Sequence, residues 1–156
     1  MGKEITSIRV KEAVKESNTL NEVRDSLFAL FRHLREEGFQ QIGYVSGPIT
    51  ADGPDNINKN LEILEKNTKT IRSKHDFPVF SPTDVFDKAL FDRLNANGFK
   101  NSDWEVFWVE LLTSGEKFVT DIFMTPGWER SHGSTLEFNS AKQVEIEIHY
   151  LTATDI

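Results

Sequence analysis

A chain of 156 residues fits one domain, since a domain of this size buries roughly two thirds of the surface its unfolded chain exposes. Its net charge of -7 and isoelectric point near 5.1 lack the basic footprint of a protein that binds nucleic-acid polymers, but admit a small anionic ligand held by a few local donors. Without cysteine there is no disulfide framework, thiolate nucleophile or zinc knuckle, and no apolar run approaches the ~20 residues of a membrane helix, so a soluble cytoplasmic protein with no membrane partner is expected.

Met1-Gly2 with Thr6 fits a myristoylation pattern only loosely, and Glu4 and Ile5 stand in a helix-like context, so no lipid anchor is expected. Glu4 to Glu16 is a charged, weakly amphipathic helix candidate ending at Ser17-Asn18. A capping box at Thr19-Leu-Asn-Glu22 opens a second helix, whose face runs through Leu20, Val23, Leu27, Leu30, Phe31 and Leu34 to a stop at Gly38. Residues 1–38 are read as an N-terminal helical extension packed on an α/β domain of residues 39–156.

That domain begins with a strand at Gln41–Ser46, followed by the turn-rich segment Gly47–Asp55. Ile57, Leu61, Leu64, Thr68 and Ile71 give helical spacing up to Lys74, and Pro78–Ser81 is a short second strand. Two helices are expected next: one over Asp84–Leu94, the other opening with a capping box at Ser102–Glu105. The Trp104, Phe107, Trp108, Leu111 and Leu112 stripe of the second is read as core or subunit interface. Phe118–Met124 has the composition of a buried strand, Thr135–Val144 continues as a helix, and Glu145–Tyr150 is a final strand. Alternation of strands and helices predicts a three-layer, flavodoxin/Rossmann-like α/β fold with a parallel sheet of four to five strands, helices on both faces and order 2-1-3-4.

Two strand ends carry loops suited to chemistry. The first is Tyr44-Val-Ser-Gly-Pro-Ile49; the second is Pro126-Gly-Trp-Glu-Arg-Ser-His-Gly-Ser-Thr-Leu-Glu137. Order 2-1-3-4 makes them neighbours at the switch point where such sheets take ligands. Ser131, Gly133 and Ser134 sit at a helix start, whose free N–H groups and partial positive charge favour an anion. Neither a P-loop nor a dinucleotide fingerprint is present. His33, His75 and His149 share no metal-ligand spacing, so no metal and no other cofactor is expected.

Over Ile42 to Tyr150 these paired loops resemble the nucleoside 2-deoxyribosyltransferase superfamily, including its nucleotide N-hydrolase branch. Its pattern is Tyr-Ile-Ser-Gly-Pro-Ile, an Asp ending a strand, then Gly-Trp-Glu-x-Ser-x-Gly-x-x-x-Glu. The resemblance implies that Glu137 is the nucleophile at the anomeric carbon and that Tyr44 orients it. It also implies that Ser46, Gly47, Pro48 and Ile49 line the sugar and base. Ser131 stands where members acting on free nucleosides tend to carry an acid, and a hydroxyl with the Gly133 and Ser134 amides suits a 5′-phosphate. Ser131 serves equally as a plain helix cap, and Arg130 is either a phosphate contact or a solvated cation. His132 is a further loop cation when protonated.

Relatives place an acid eight residues before the strand-ending Asp, here Asp121, but that position is Thr113. Glu110 is the nearest acid on the helix and is taken as the general acid, ahead of Asp103 and Glu105; Asp121 is read as structural, capping backbone amides at the strand end. The expected activity is cleavage of the N-glycosidic bond of a deoxynucleoside or nucleoside 5′-monophosphate, with water as acceptor. Deoxyribosyl transfer between bases, and a non-catalytic nucleotide sensor, are the alternatives. The expected partners are a small nucleoside or nucleotide and, as the resemblance implies, a second copy of the chain in a homodimer or larger homo-oligomer.

Overall fold

A computed structural model of the chain describes residues 6–98 and 101–152. The strands are β1 (Gly43–Ser46), β2 (Val79–Phe80), β3 (Asp121–Met124) and β4 (Glu147–Tyr150). All pair in parallel in the order β2-β1-β3-β4. The helices are α1 (Thr6–Val14), α2 (Leu20–Glu36), α3 (Ile57–Ser73), α4 (Pro82–Val85), α5 (Lys88–Ala96), α6 (Asn101–Leu112) and α7 (His132–Gln143). This is the three-layer Rossmann-like arrangement expected, with four strands among the described residues.

The pleat divides the core. Tyr44, Phe80, Ile122 and Met124 point to one face, where they meet Leu27, Leu30 and Phe31 of α2 and Trp108 of α6. Val45, Val79 and Phe123 point to the other, under Leu64 and Ile71 of α3. Val10 and Val14 of α1 belong to the same cluster as the sheet, so the N-terminal helices share its core. Phe107, Trp108, Leu111 and Leu112 are buried and the Trp-rich stripe is therefore core, with only Val106 among the large apolar residues of α6 turned to solvent. The Thr19 cap of α2 forms as its sequence predicts, its hydroxyl accepting from the Glu22 amide. The box at Ser102–Glu105 turns on the Ser102 side chain, and the anchor pattern on Met1 and Gly2; both lie outside the described residues.

The helix expected over Asp84–Leu94 is two. Ser81-Pro-Thr-Asp84 is itself a capping box with Pro at the first helical position, opening α4. Asp87 then accepts from the Leu90 amide at 2.8 Å and opens α5. Asp84 has a second role, pairing at 2.8 Å with Arg72, which also donates to the Val79 carbonyl and so covers the β2 edge.

The strands are shorter than their apolar runs. Phe118 is occupied by α2, packing on Phe28 and Phe31 beneath the guanidinium of Arg35. Glu145, with φ of 62°, turns the chain out of α7 and delays β4 to Glu147. No described helix is long and apolar enough to cross a membrane.

Candidate active site

The carboxyl ends of β1 and β3 lie side by side, with Ser46 in register with Met124. One residue on, Thr125 ties the two loops: its amide and its hydroxyl both donate to the Ser46 carbonyl, at 3.0 and 3.1 Å. Gly47 is required by that tie, since a Cβ there would stand 2.3 Å from Thr125 Oγ1. The loop after β1 is held down further by Asn60, which donates to the Ile49 carbonyl at 3.1 Å.

Alternation along β1 sends Tyr44 and Ser46 to the face covered by α7, where Glu137 sits just over one turn into the helix. Ser46 Oγ donates to Glu137 Oε1 at 2.8 Å, with both side chains buried. Among the described residues it is the only hydrogen bond to this carboxylate. Tyr44 is 0 % exposed and stacks near Trp108, ring centroids 4.9 Å apart. Its hydroxyl is the one buried side-chain polar atom among the described residues without a hydrogen-bond partner. The phenol and the carboxylate are close enough to bias each other's proton affinity, yet their geometry stops short of a hydrogen bond.

Burial dominates the titration of Glu137, pushing its carboxyl up to about 7, against the opposing pull of Ser46 and then Tyr44. Burial also raises the Tyr44 phenol well above its ordinary value, and the nearby Glu137 charge adds to the shift. The group is thus a carboxyl poised to change protonation near neutrality, with one oxygen tied and an unpaired donor beside it. Such a site can act as a proton carrier, or as a nucleophile once ionised.

Ser131 is the N-cap of α7, its hydroxyl accepting from the Ser134 amide at 3.2 Å. The capping role is therefore filled; the hydroxyl hydrogen, and the amides of His132 and Gly133 ahead of the first helical bond, remain available to an anion. Arg130 is half-exposed but paired. Its Nη2 bonds Asp52 Oδ2 at 3.0 Å, and Asp52 also accepts from Asn60 at 3.1 Å. Pro48 and Arg130 line a cleft of about 90 Å³ with Asn60, Asn67, Thr125 and Pro126. This volume is below that of a typical small-molecule site. The roomier cavity, about 340 Å³, lies elsewhere, between the α1–α2 turn, the end of α5 and α6.

Glu110 lines that second cavity and does not join Glu137. It is exposed and forms a salt bridge with Arg24 of α2. Helical geometry explains this: Trp108 faces Tyr44 and the sheet, and two residues further on, at 100° per residue, a side chain points away. Glu105, three residues before Trp108, is half-exposed on the side of α6 that meets α7, and reaches His132 at 3.4 Å.

Asp121 opens β3 instead of ending it, placing it at the far end of the strand from Glu137's loop, about 10 Å away at strand rise. It accepts from Thr120 Oγ1 at 2.6 Å, Gln41 at 3.3 Å and His149 Nε2 at 2.8 Å, so side-chain donors hold it, not backbone amides. His149 is therefore not isolated. Its ring also stacks on Phe123, and Glu147 joins Asp121 and His149 in a group whose ligand atoms all lie within 4.8 Å of one another. Parallel pairing of β3 with β4, invisible in linear spacing, creates the group. Comparison of the chain with family models, with curated proteins and with solved structures found no match.

Proposed function

We propose that the chain cleaves the N-glycosidic bond of a nucleoside 5′-monophosphate, as a relative of the nucleoside 2-deoxyribosyltransferases. The observation that carries this reading is the buried Ser46–Glu137 pair beside an unpartnered Tyr44 hydroxyl, at the carboxyl end of a parallel sheet. In the ionised state the free oxygen of Glu137 bonds C1′ as the C1′–N bond breaks, the base leaving with a proton from an acid. Water then attacks C1′, giving a proton back to that acid as it releases sugar phosphate and restores the carboxylate. Ser46 holds the carboxylate, and the unpartnered Tyr44 hydroxyl beside it supplies a second donor as charge develops. Ser131 and the first-turn amides of α7 receive the phosphate. Glu105, which reaches His132 on the first turn of α7, takes the place of Glu110 as the acid.

The displacement of Glu110 is also the observation that favours a second reading, a nucleotide-binding protein that holds the ligand without turnover. Transfer of deoxyribose to another base uses the same first step and differs only in the acceptor. Incubation with a panel of deoxy and ribo 5′-monophosphates, with and without acceptor bases, separates the three when free base is followed by chromatography. Base release that rises with pH through about 7 and falls about a thousandfold in Glu137→Gln is expected for the hydrolase. Release unaffected by Glu137→Gln sinks the catalytic reading, and ligand binding without release in the parent favours the sensor.

A further inference from the structure

The Arg130–Asp52 pair joins the two loops of the site and is built by more than the two charges. Arg130 folds back over Gly127, whose φ of 85° is left-handed; a Cβ at Gly127 would stand 2.1 Å from Arg130 Nη1. Asp52 is fixed in turn by Asn60, which holds the Ile49 carbonyl with the same amide group, and Asn56 donates to the Asp52 carbonyl at 2.9 Å. The hydrogen bonds of Asn60 and Arg130 keep the Asp52 carboxyl below its usual range, with Lys59 contributing a further positive charge. So Gly127, Asn60 and Asp52 together put one guanidinium on the wall of the cleft formed with Gly47, Pro48 and Thr125. Both partners are substantially exposed, at 54 % and 35 % of their side chains, and an exposed ion pair is weak in water. A guanidinium offers its planar fork to phosphate as readily as to carboxylate, and a phosphate dianion carries the larger charge.

Resting on the phosphate-substrate reading above, we propose that Asp52 is an internal stand-in for the substrate's phosphate. Arg130 exchanges the Asp52 carboxylate for the 5′-phosphate of the incoming nucleotide, which makes the pair the element that selects phosphorylated over free nucleosides. The exchange forms Arg130 N–H···O–P bonds as the N–H···O–C bonds to Asp52 break; no covalent step is involved. Asp52 remains held by Asn60, so the β1 loop keeps its place while the guanidinium changes partner.

Binding tests this most directly, measured by calorimetry in a Glu137→Gln background so that nothing is turned over. The probes are inorganic phosphate, the four deoxynucleoside 5′-monophosphates and the four deoxynucleosides. Asp52→Asn is expected to tighten phosphate and monophosphate binding by about three- to fivefold, through loss of the competing charge, and to leave nucleoside binding unchanged. Arg130→Gln is expected to weaken monophosphate binding by at least about tenfold with nucleosides again unaffected, and Gly127→Ala to follow it by displacing the guanidinium. All three positions lie in exposed or half-exposed turns, and circular dichroism checks that each variant is folded. Monophosphate affinity indifferent to Asp52→Asn, or a gain shared by the nucleosides, overturns the exchange. The readout is independent of catalysis: absent base release in the parent removes the glycosidase reading and leaves the exchange standing. Base release with an indifferent Asp52→Asn does the converse.

Discussion

Two carboxylates are buried at opposite ends of this sheet, Glu137 at the carboxyl end of the strands and Asp121 at the amino end, 8 % and 2 % exposed. Asp121 is surrounded by three donors, from Thr120, Gln41 and His149. Glu137 has one, from Ser46, and next to it lies a phenol with no partner. Buried polar groups in folded proteins are ordinarily satisfied, so the Asp121 end looks like structure and the Glu137 end like a place where stability has been given up for something else. Equal burial thus says little about role. The number of donors that come with it separates the two.

Removing Asp121 is the strongest way to sharpen that contrast. Asp121→Ala removes the acceptor shared by Gln41 and His149 and one of the two acceptors of the Thr120 hydroxyl, and is expected to cost about 3 kcal/mol in urea unfolding. If it instead abolishes ligand binding at unchanged stability, the two ends have been assigned the wrong way round.

The Glu137 end should answer in the opposite sense. Burial raises the pKa from 4.5 to about 7, so the folded state holds this proton more tightly than the unfolded chain does. The associated stability is fully present below the unfolded value and is lost as pH rises through the folded one. At pH 8 the charged carboxyl therefore costs about 3 kcal/mol. Glu137→Gln keeps an acceptor for Ser46 and removes the charge, so the variant is expected to exceed the parent by about that amount at pH 8, the difference closing near pH 4. A gain that does not change with pH contradicts the assignment.

The smallest effect concerns the phenol. Tyr44→Phe deletes a buried hydroxyl that makes no hydrogen bond, so folding stability is expected to stay level or rise by up to about 1 kcal/mol. Base release, where the hydroxyl orients the attacking carboxylate, is expected to fall. A loss of stability above about 1 kcal/mol would mean that the hydroxyl is satisfied in solution, and the contrast between the two ends would weaken.

Much of this architecture was legible in local pattern. Thr19 to Glu22 announced α2 and the strand cores followed β-branched and aromatic runs, while strand and helix alternation pointed to a parallel sheet covered by helices. The errors arose where a residue answered to a distant partner. Phe118 looked like strand and was claimed by α2; Asp84 looked like the start of one long helix and instead lies inside the short α4, where it accepts from the Ser81 amide and binds Arg72.

Within the candidate site, the chain's own residues determined that Ser46 ends a strand and that Glu137 lies early in the helix after another, because turn chemistry and helix capping are read from neighbours a few residues apart. Which acid stands near Glu137, which charge Arg130 meets and how His149 is held were decided only by tertiary structure. Those answers depend on the rotation of α6 about its axis, on the approach of two loops 78 residues apart in the chain and on the register of β3 with β4. No local spacing encodes these quantities, since each is set by how whole elements pack against one core.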